Sequence, residues 1–287
     1  MQVTRLTPQF GAAVTGVDLG HLDDAQFAAL KQVWHQHRGL LAFPRQHLSD
    51  DGLLVFSRRI GQLDSPPNQE HGRQSPEGYP DIYVVSNVKD NAGRPIGALG
   101  DGEAVWHTDM SYESKPPLAS MLTAREIPAS GGDTWFCDMT GAYEDLPQAL
   151  KQRIATLKVK HDGTYNSGGF LRAGVTPIDN PELAPGMLHP AVIRIPETGD
   201  AVLYLGRRRM SYISGLSLAD SEALLDELWK YPVAEHRIYK HKWQVGDLVL
   251  WDNRTTMHRR DPFPPTERRI MHRTQIKGEA APAAYGG

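Results

Sequence analysis

Between Asp23 and Gly39 the apolar residues Phe27, Leu30, Val33 and Trp34 recur three and four positions apart. This spacing predicts an amphipathic helix, capped at Asp23 or Asp24 and stopped at Gly39. Leu40-Leu41-Ala42-Phe43 follows as an unbroken apolar run and reads as a buried strand closed by Pro44. Ser49 then caps a second helix that carries Leu53, Leu54, Phe56 and Ile60 on one side and ends at Gly61. After this αβα opening the period shifts towards two. Short strands are predicted at Ile82–Val85, Ala119–Ala124, Thr134–Phe136, Arg237–Trp243, Asp247–Trp251 and Ile270–Ile276. Val192–Ile195 and Ala201–Leu205 read as a hairpin with its turn at Thr198-Gly199. Two further helices are expected, one over Ala142–Leu157 with Pro147 inside it, and one capped by Ser217 with Ala223, Leu224, Leu225 and Leu228 on its buried face.

Three stretches break the pattern. Residues 64–80 are rich in Pro, Gly, Gln and Ser, residues 89–103 carry Gly93, Gly97, Gly100 and Gly102, and residues 162–187 are rich in Gly, Pro and Asn. Loops of this length inside a compact unit often act as lids, which is the expectation for all three. The glycines lack the strand-then-helix setting of a dinucleotide fingerprint. The pattern as a whole predicts a mainly β fold with surrounding helices, in which a double-sheet jelly roll forms the core of one domain spanning residues 1–287.

Composition narrows the function classes. Hydrophobic residues make up 40% of the 287 and charged residues 23%, enough apolar material for a sizeable core. A formal charge of -3 gives no basic field for nucleic acid. The N-terminal residues contain no signal-like apolar segment, and no later run is long enough to span a bilayer. A single cysteine, Cys137, sits in a strand-like run and reads as a small buried hydrophobe. A cytoplasmic protein with no membrane or nucleic-acid partner is the expectation.

The chemistry lies in two blocks about 150 residues apart: Trp106-His107-Thr108-Asp109, and Trp251-Asp252-Asn253-Arg254 running on to His258 and Arg269. His107 and Asp109 are two apart, so on one strand they would face the same way. With His258 they would offer two imidazoles and a carboxylate to one face of an Fe(II) ion, leaving the other face open. Arg269 suits a dicarboxylate co-substrate, because its planar fork meets a carboxylate bidentately. His-x-Asp alone is weak in a chain with 12 histidines; the pairing of the blocks carries the argument. His189, before Pro190, reads as a core or turn histidine, and His35, His37 and His241 as surface positions. Arg207-Arg208-Arg209 follows a strand, where it is either a solvated hairpin end or a source of positive potential for an anion, with Arg208 pointing opposite to the other two. Tyr165, Phe170 and Tyr212 are candidate pocket walls.

Together with Gly131-Gly132-Asp133-Thr134, Leu188-His189-Pro190 and Arg268-Arg269-Ile270-Met271-His272-Arg273, these blocks closely resemble the taurine/2,4-dichlorophenoxyacetate dioxygenase family of Fe(II)- and 2-oxoglutarate-dependent oxygenases. The resemblance covers nearly the whole chain. It implies a double-stranded β-helix of the cupin-like kind, Fe(II) held by His107, Asp109 and His258, and 2-oxoglutarate and O2 as co-substrates. It further implies that Thr134 and Arg269 hold the distal carboxylate of 2-oxoglutarate, and that Arg273 meets an anionic group of a small organic substrate. Retention of Asp109 favours hydroxylation, since halogenating relatives replace that carboxylate with a small residue. Taurine-specific relatives place an amide side chain four residues before the first ligand histidine, where this chain has Glu103. Ser86-Asn87-Val88, Phe136-Cys137-Asp138-Met139 and Asn166-Ser167 look more like the aryloxyacetate-cleaving branch. An aryloxyalkanoate that falls apart at its ether after hydroxylation is therefore the favoured substrate type. The alternatives are an alkylsulfonate dioxygenase, a metal-binding jelly-roll module without turnover, and a Zn(II) hydrolase. Family habit implies a homo-oligomer, dimer or tetramer.

Overall fold

The computed structural model describes residues 1–65, 75–102 and 104–286. Its largest element is an eight-stranded sheet with the order Gln2–Arg5, Ala12–Thr15, Leu40–Phe43, Leu248–Asp252, Ala119–Glu126, Ile270–Ile276, Tyr83–Ser86, Ala98–Leu99. Pairings are antiparallel except those of Ala12–Thr15 with Leu40–Phe43 and of Tyr83–Ser86 with Ala98–Leu99. A four-stranded antiparallel sheet runs Ile238–His241, Thr134–Asp138, Thr256–Arg260, Ala104–His107.

The central strands of the large sheet are apolar on both faces because both faces are covered. Leu41, Phe43, Leu248 and Leu250 pack with Leu30, Trp34, Leu53 and Phe56 of the two N-terminal helices. Their neighbours Leu40, Ala42, Val249 and Trp251 point the other way, into a cluster with Phe136, Trp243 and Met271 that joins the two sheets. Each such leucine contributes about 1.5–3 kcal/mol by leaving water. A third core packs Leu224, Leu225 and Leu228 against the Val192–Arg194 and Ala201–Leu203 hairpin.

The helices begin where the caps predict. Asp23 forms a capping box with Gln26 ahead of Asp24–Gln36, Ser49 accepts from the Gly52 amide ahead of Asp50–Ile60, and Ser217 accepts from the Asp220 amide ahead of Leu218–Trp229. Gly39 is obligatory: its φ is 81°, and a Cβ there would lie 2.4 Å from the Thr255 hydroxyl and 2.6 Å from the Asp252 Cβ. It lets the chain leave the first helix directly beneath the turn that connects the two sheets.

Two expectations are corrected, and one strand appears that the sequence pattern did not announce. The helix over Ala142–Leu157 is two helices, Met139–Asp145 and Gln148–Ile154, because Pro147 forces Leu146 to an extended ψ of 134° and can only restart a helix. The 89–103 loop contains the short strand Ala98–Leu99 and an Asp90-centred turn, in which the Asp90 carboxylate accepts from the Ala92 and Arg94 amides. The strand Thr256–Arg260 has no apolar alternation to announce it, and forms because Thr134–Asp138 and Ala104–His107 supply a ladder on either side. Of the 64–80 loop, residues 66–74 lie outside the described residues, as does Glu103. No helix among the described residues is long and apolar enough to cross a membrane.

Candidate metal and co-substrate site

His107 and His258 stand directly opposite each other on paired strands, their ring centroids 4.2 Å apart. Asp109 is not on the strand with His107. The strand ends at His107, and the chain turns so that Met110 takes a φ of 44°, rare for a residue with a side chain. That turn, and not strand alternation, carries the carboxylate back. Asp109 Oδ1 then lies 3.6 Å from Nε2 of both histidines, and one ligand atom from each residue falls within 4.8 Å of the others. His107 Nδ1 is 2.7 Å from the Val105 carbonyl oxygen. A carbonyl can only accept, so Nδ1 carries a proton and Nε2 is the ring nitrogen that faces Asp109 and His258.

Burial alone would raise the Asp109 carboxyl, but Arg273, His258 and His107 hold it well below the usual carboxylate range. Burial pushes His258 well below the ordinary imidazole value, reinforced by His107 and Arg273 and opposed by Asp109. An ionised carboxylate beside a neutral imidazole is the protonation state a divalent cation requires of its ligands.

The Ser120 hydroxyl organises the back of the cluster. It donates to Asp109 Oδ2 at 2.9 Å and accepts from Asn253 Nδ2 at 3.1 Å and from an Arg273 NH2 at 3.0 Å. Asn253 Oδ1 in turn accepts from the Trp251 indole at 2.9 Å. Arg273 also pairs directly with Asp109. Asp252 and Arg254 turn away from the site. Arg254 clamps Asp252 and reaches Glu197, fixing the turn by which the chain crosses from the large sheet to the small one.

Deeper in the same pocket lies Arg269, 1% exposed. None of its three guanidinium nitrogens has a hydrogen-bond partner among the described residues. Burial, with Arg260 adding repulsion, lowers its pKa to about 9. A buried unpaired cation costs several kcal/mol, so this end of the pocket is shaped for an anion. Thr134 also lines it. The Thr134 hydroxyl accepts from the Trp243 indole at 2.9 Å, which leaves its own proton to donate. Asn87 pins the loop before Arg269 by accepting from the Arg269 amide and donating to the Glu267 carbonyl.

His107, Asp109, Thr134, His258, Arg269 and Arg273 all line this one pocket. Tyr165, Phe170 and Tyr212 do not. Tyr165 carries Arg209 on its ring, Phe170 is 69% exposed, and the Tyr212 hydroxyl donates to the Leu216 carbonyl. Tyr112, Asn166 and Ser167 are wall residues in their place. His189 is a core histidine, with Nε2 facing the Ser111 and Glu113 carbonyls. His241 is buried against Asp247 and Tyr239, whereas His35 and His37 are partly exposed. Ser120, Arg260 and Gln275 also line the site or support it, and nothing in their sequence context marks them. Only the strand register brings Ser120 opposite Gln275 and beside the Asp109 carboxylate.

The chain matches the family described as "Taurine catabolism dioxygenase TauD, TfdA family" over residues 2–275, and it belongs to that family. It is thus an Fe(II)- and 2-oxoglutarate-dependent dioxygenase, with O2 as the other co-substrate. It is 34% identical to an (S)-phenoxypropionate/alpha-ketoglutarate-dioxygenase of Sphingobium herbicidovorans, over 97% of this chain and 96% of that one. With the alpha-ketoglutarate-dependent 2,4-dichlorophenoxyacetate dioxygenase of Cupriavidus pinatubonensis it shares 30% identity, covering 96% and 97%. The crystal structure of AAD-2 in complex with Mn(II) and N-oxalylglycine is similar at a TM-score of 0.79 and 26% identity, covering 98% of this chain and 99% of that one.

Proposed function

We propose that His107, Asp109 and His258 hold Fe(II), that Arg269 and Thr134 hold the distal carboxylate of 2-oxoglutarate, and that the enzyme hydroxylates a small organic anion of the aryloxyalkanoate type. The observation that carries the reading is the unpaired, buried guanidinium of Arg269 in one pocket with the His-Asp-His cluster. A dicarboxylate supplies the missing partner for Arg269, and the cluster offers the two imidazoles and one carboxylate that suit non-haem Fe(II). When bound, Fe(II) with 2-oxoglutarate and O2 supplies the oxidant, and the net reaction converts a C–H bond to C–OH while 2-oxoglutarate becomes succinate and carbon dioxide. Hydroxylation at a carbon that bears an ether oxygen gives a hemiacetal, which collapses to a phenol and a carbonyl acid.

The residues of this chain do the positioning. Ser120 and Asn253 fix the Asp109 carboxylate, the Val105 carbonyl fixes the His107 tautomer, and Trp243 turns the Thr134 hydroxyl towards the co-substrate end. Arg273 keeps an Nε without a partner among the described residues while its NH2 holds Asp109, and that Nε serves an anionic group on the substrate. The aryloxyalkanoate assignment rests on the named activities of the two enzymes compared above and on Asn166 and Ser167 lining the pocket. We read the two sheets as one double-stranded β-helix domain, with the described parts of the loops at 89–102 and 162–187 as lids that exclude water. A cytoplasmic location and a homo-oligomeric state belong to the same reading, on one cysteine and on family habit.

The deciding experiment is anaerobic. Fe(II) and then 2-oxoglutarate are added to the metal-free protein, and the visible spectrum is followed for the charge-transfer band of a chelated keto acid. The band is expected in the parent and absent in His258→Ala; bound metal with no band would overturn the assignment. A screen of phenoxyacetates, phenoxypropionates and alkylsulfonates for succinate formation above the uncoupled background then identifies the substrate class.

A further inference from the structure

The strand Ile270–Ile276 has two distinct faces. His272, Thr274 and Ile276 face the N-terminal helices, where His272 meets Asp50, Thr274 bonds to the Ser57 hydroxyl at 2.7 Å and Ile276 joins the cluster of Leu53 and Phe56. Met271, Arg273 and Gln275 face the other way. Met271 enters the cluster between the sheets, while Arg273 and Gln275 line the pocket. Gln275 is 4% exposed, and neither its Nε2 nor its Oε1 has a hydrogen-bond partner among the described residues. Its cross-strand neighbour Ser120 cannot supply one, because that hydroxyl already donates to Asp109 and accepts from Asn253 and Arg273. A buried amide left unmet at both ends is unfavourable, and a ligand that answers it recovers the loss. The arginines at 207–209 offer no comparable opening: Arg207 pairs with Asp162, Arg208 with Glu222 and Asp226, and Arg209 lies 3.7 Å over the Tyr165 ring.

We propose that Gln275 is a specificity-determining residue, and that with Arg273 it selects a carboxylate that bears an O–H or N–H on the neighbouring carbon. The unmet groups on this face of the strand are two donors, Arg273 Nε and Gln275 Nε2, and one acceptor, Gln275 Oε1. The two oxygens of a carboxylate answer the donors, and a donor on the next carbon answers Oε1. A 2-hydroxy acid or an N-aryl amino acid thus satisfies all three. An ether oxygen in that place can only accept, and it leaves Oε1 unpaired. The inference rests on the assignment of Arg273 to the anionic group of the substrate and adds the second half of the head group.

The test is anaerobic calorimetric binding to the enzyme loaded with Fe(II) and 2-oxoglutarate, using two pairs of acids. N-phenylglycine differs from phenoxyacetate by an N–H in place of the ether oxygen, and 3-phenyllactate differs from 3-phenylpropionate by one added hydroxyl. The donor-bearing member of each pair is expected to bind about three- to tenfold more tightly, the value of one neutral hydrogen bond. Gln275→Met, similar in length but without the amide, should abolish that preference and weaken all four acids at least about tenfold. The 2-oxoglutarate affinity should stay within about twofold. The same variant should raise the melting temperature of the ligand-free enzyme by about 2–4 °C, because the amide it removes is unpaired there. Gln275→Glu keeps the size and serves if the methionine variant does not fold; with an acceptor on both branches it should likewise weaken all four acids at least about tenfold. Equal binding within both pairs by the parent, a preference that survives in Gln275→Met, or a lowered melting temperature with acid binding unchanged overturns the proposal. A Gln275-dependent preference for 3-phenyllactate, with neither phenoxyacetate nor N-phenylglycine bound, keeps it and sinks the aryloxyalkanoate assignment. Binding of none of the four acids overturns it.

Discussion

The two ends of the pocket are built differently. At the inner end, His107, Thr134, His258, Arg269 and Arg273 sit on strands or within a residue of one, in sheets whose registers fix every neighbour. At the outer end, Tyr112, Asn166, Ser167, Arg172 and Arg207 come from connections, and their positions depend on turns such as the one in which Asp162 accepts from two following amides. A constant reaction needs ångström placement of metal and co-substrate, which a hydrogen-bonded ladder gives. A changing substrate is accommodated where a wall can be rebuilt without disturbing that ladder.

The largest effect should come from the inner end. Asp109→Ala is expected to lose stoichiometric iron and all coupled turnover, as measured by iron content after desalting and by succinate formation; full iron occupancy would remove Asp109 from the ligand set. Arg269→Ala should raise the 2-oxoglutarate requirement by roughly 30- to 150-fold, because a charge-assisted bidentate contact is worth about 2–3 kcal/mol. The KM for the organic substrate should move little, and a parallel rise in both would mean that Arg269 supports the fold of the pocket instead.

Trp243→Phe sharpens the comparison more gently. It takes away the indole donor to Thr134 and leaves a smaller ring in the buried cluster, so 2-oxoglutarate affinity should fall only severalfold and stability by about 1–3 kcal/mol. No change in either would show that the Thr134 hydroxyl needs no orienting partner. The outer end should respond to acid. His161, fully buried beside Asp162, is held well below the ordinary imidazole value by burial and then by His189, and burial lowers His189 too. Depressed folded-state values mean that the unfolded chain binds protons first. The stability these groups contribute is complete above the unfolded value near 6.5 and is lost as pH falls towards their folded values. The melting temperature should therefore drop between pH 7 and pH 5, and His161→Phe, which keeps the stacking on Tyr204, should flatten that slope. An unchanged slope would place the acid sensitivity elsewhere. The smallest effect is expected at Phe170, whose ring is mostly in solvent: Phe170→Ala should alter stability by less than about 0.5 kcal/mol and leave the substrate KM unchanged.

The same contrast explains what could be read in the chain beforehand. The helix caps at Asp23, Ser49 and Ser217, the hairpin around Gly199 and the buried run Leu40–Phe43 are local signals, and local hydrogen bonds and burial decide them. The blocks around His107 and His258 were legible because metal chemistry demands particular residue types. The means of bringing them together was not: a turn with a left-handed Met110 does what strand alternation was expected to do. Thr256–Arg260 is a strand by virtue of its neighbours alone, and Ser120, Asn253 and Gln275 acquire their places through register across more than a hundred residues of chain. The aromatic residues Phe170 and Tyr212 looked like walls on hydrophobicity, yet one faces solvent and the other caps its own loop.

Because His107 and His258 are opposed in a single ladder, the site tolerates change in chain length unevenly. Adding or deleting one residue within Ala104–His107 or Thr256–Arg260 would reverse the facing of an imidazole and disarm the enzyme at once. The same event almost anywhere in the 162–187 connection would alter only the substrate wall. Diversification by insertion and deletion is thereby channelled towards new substrates and away from the loss of oxygen chemistry.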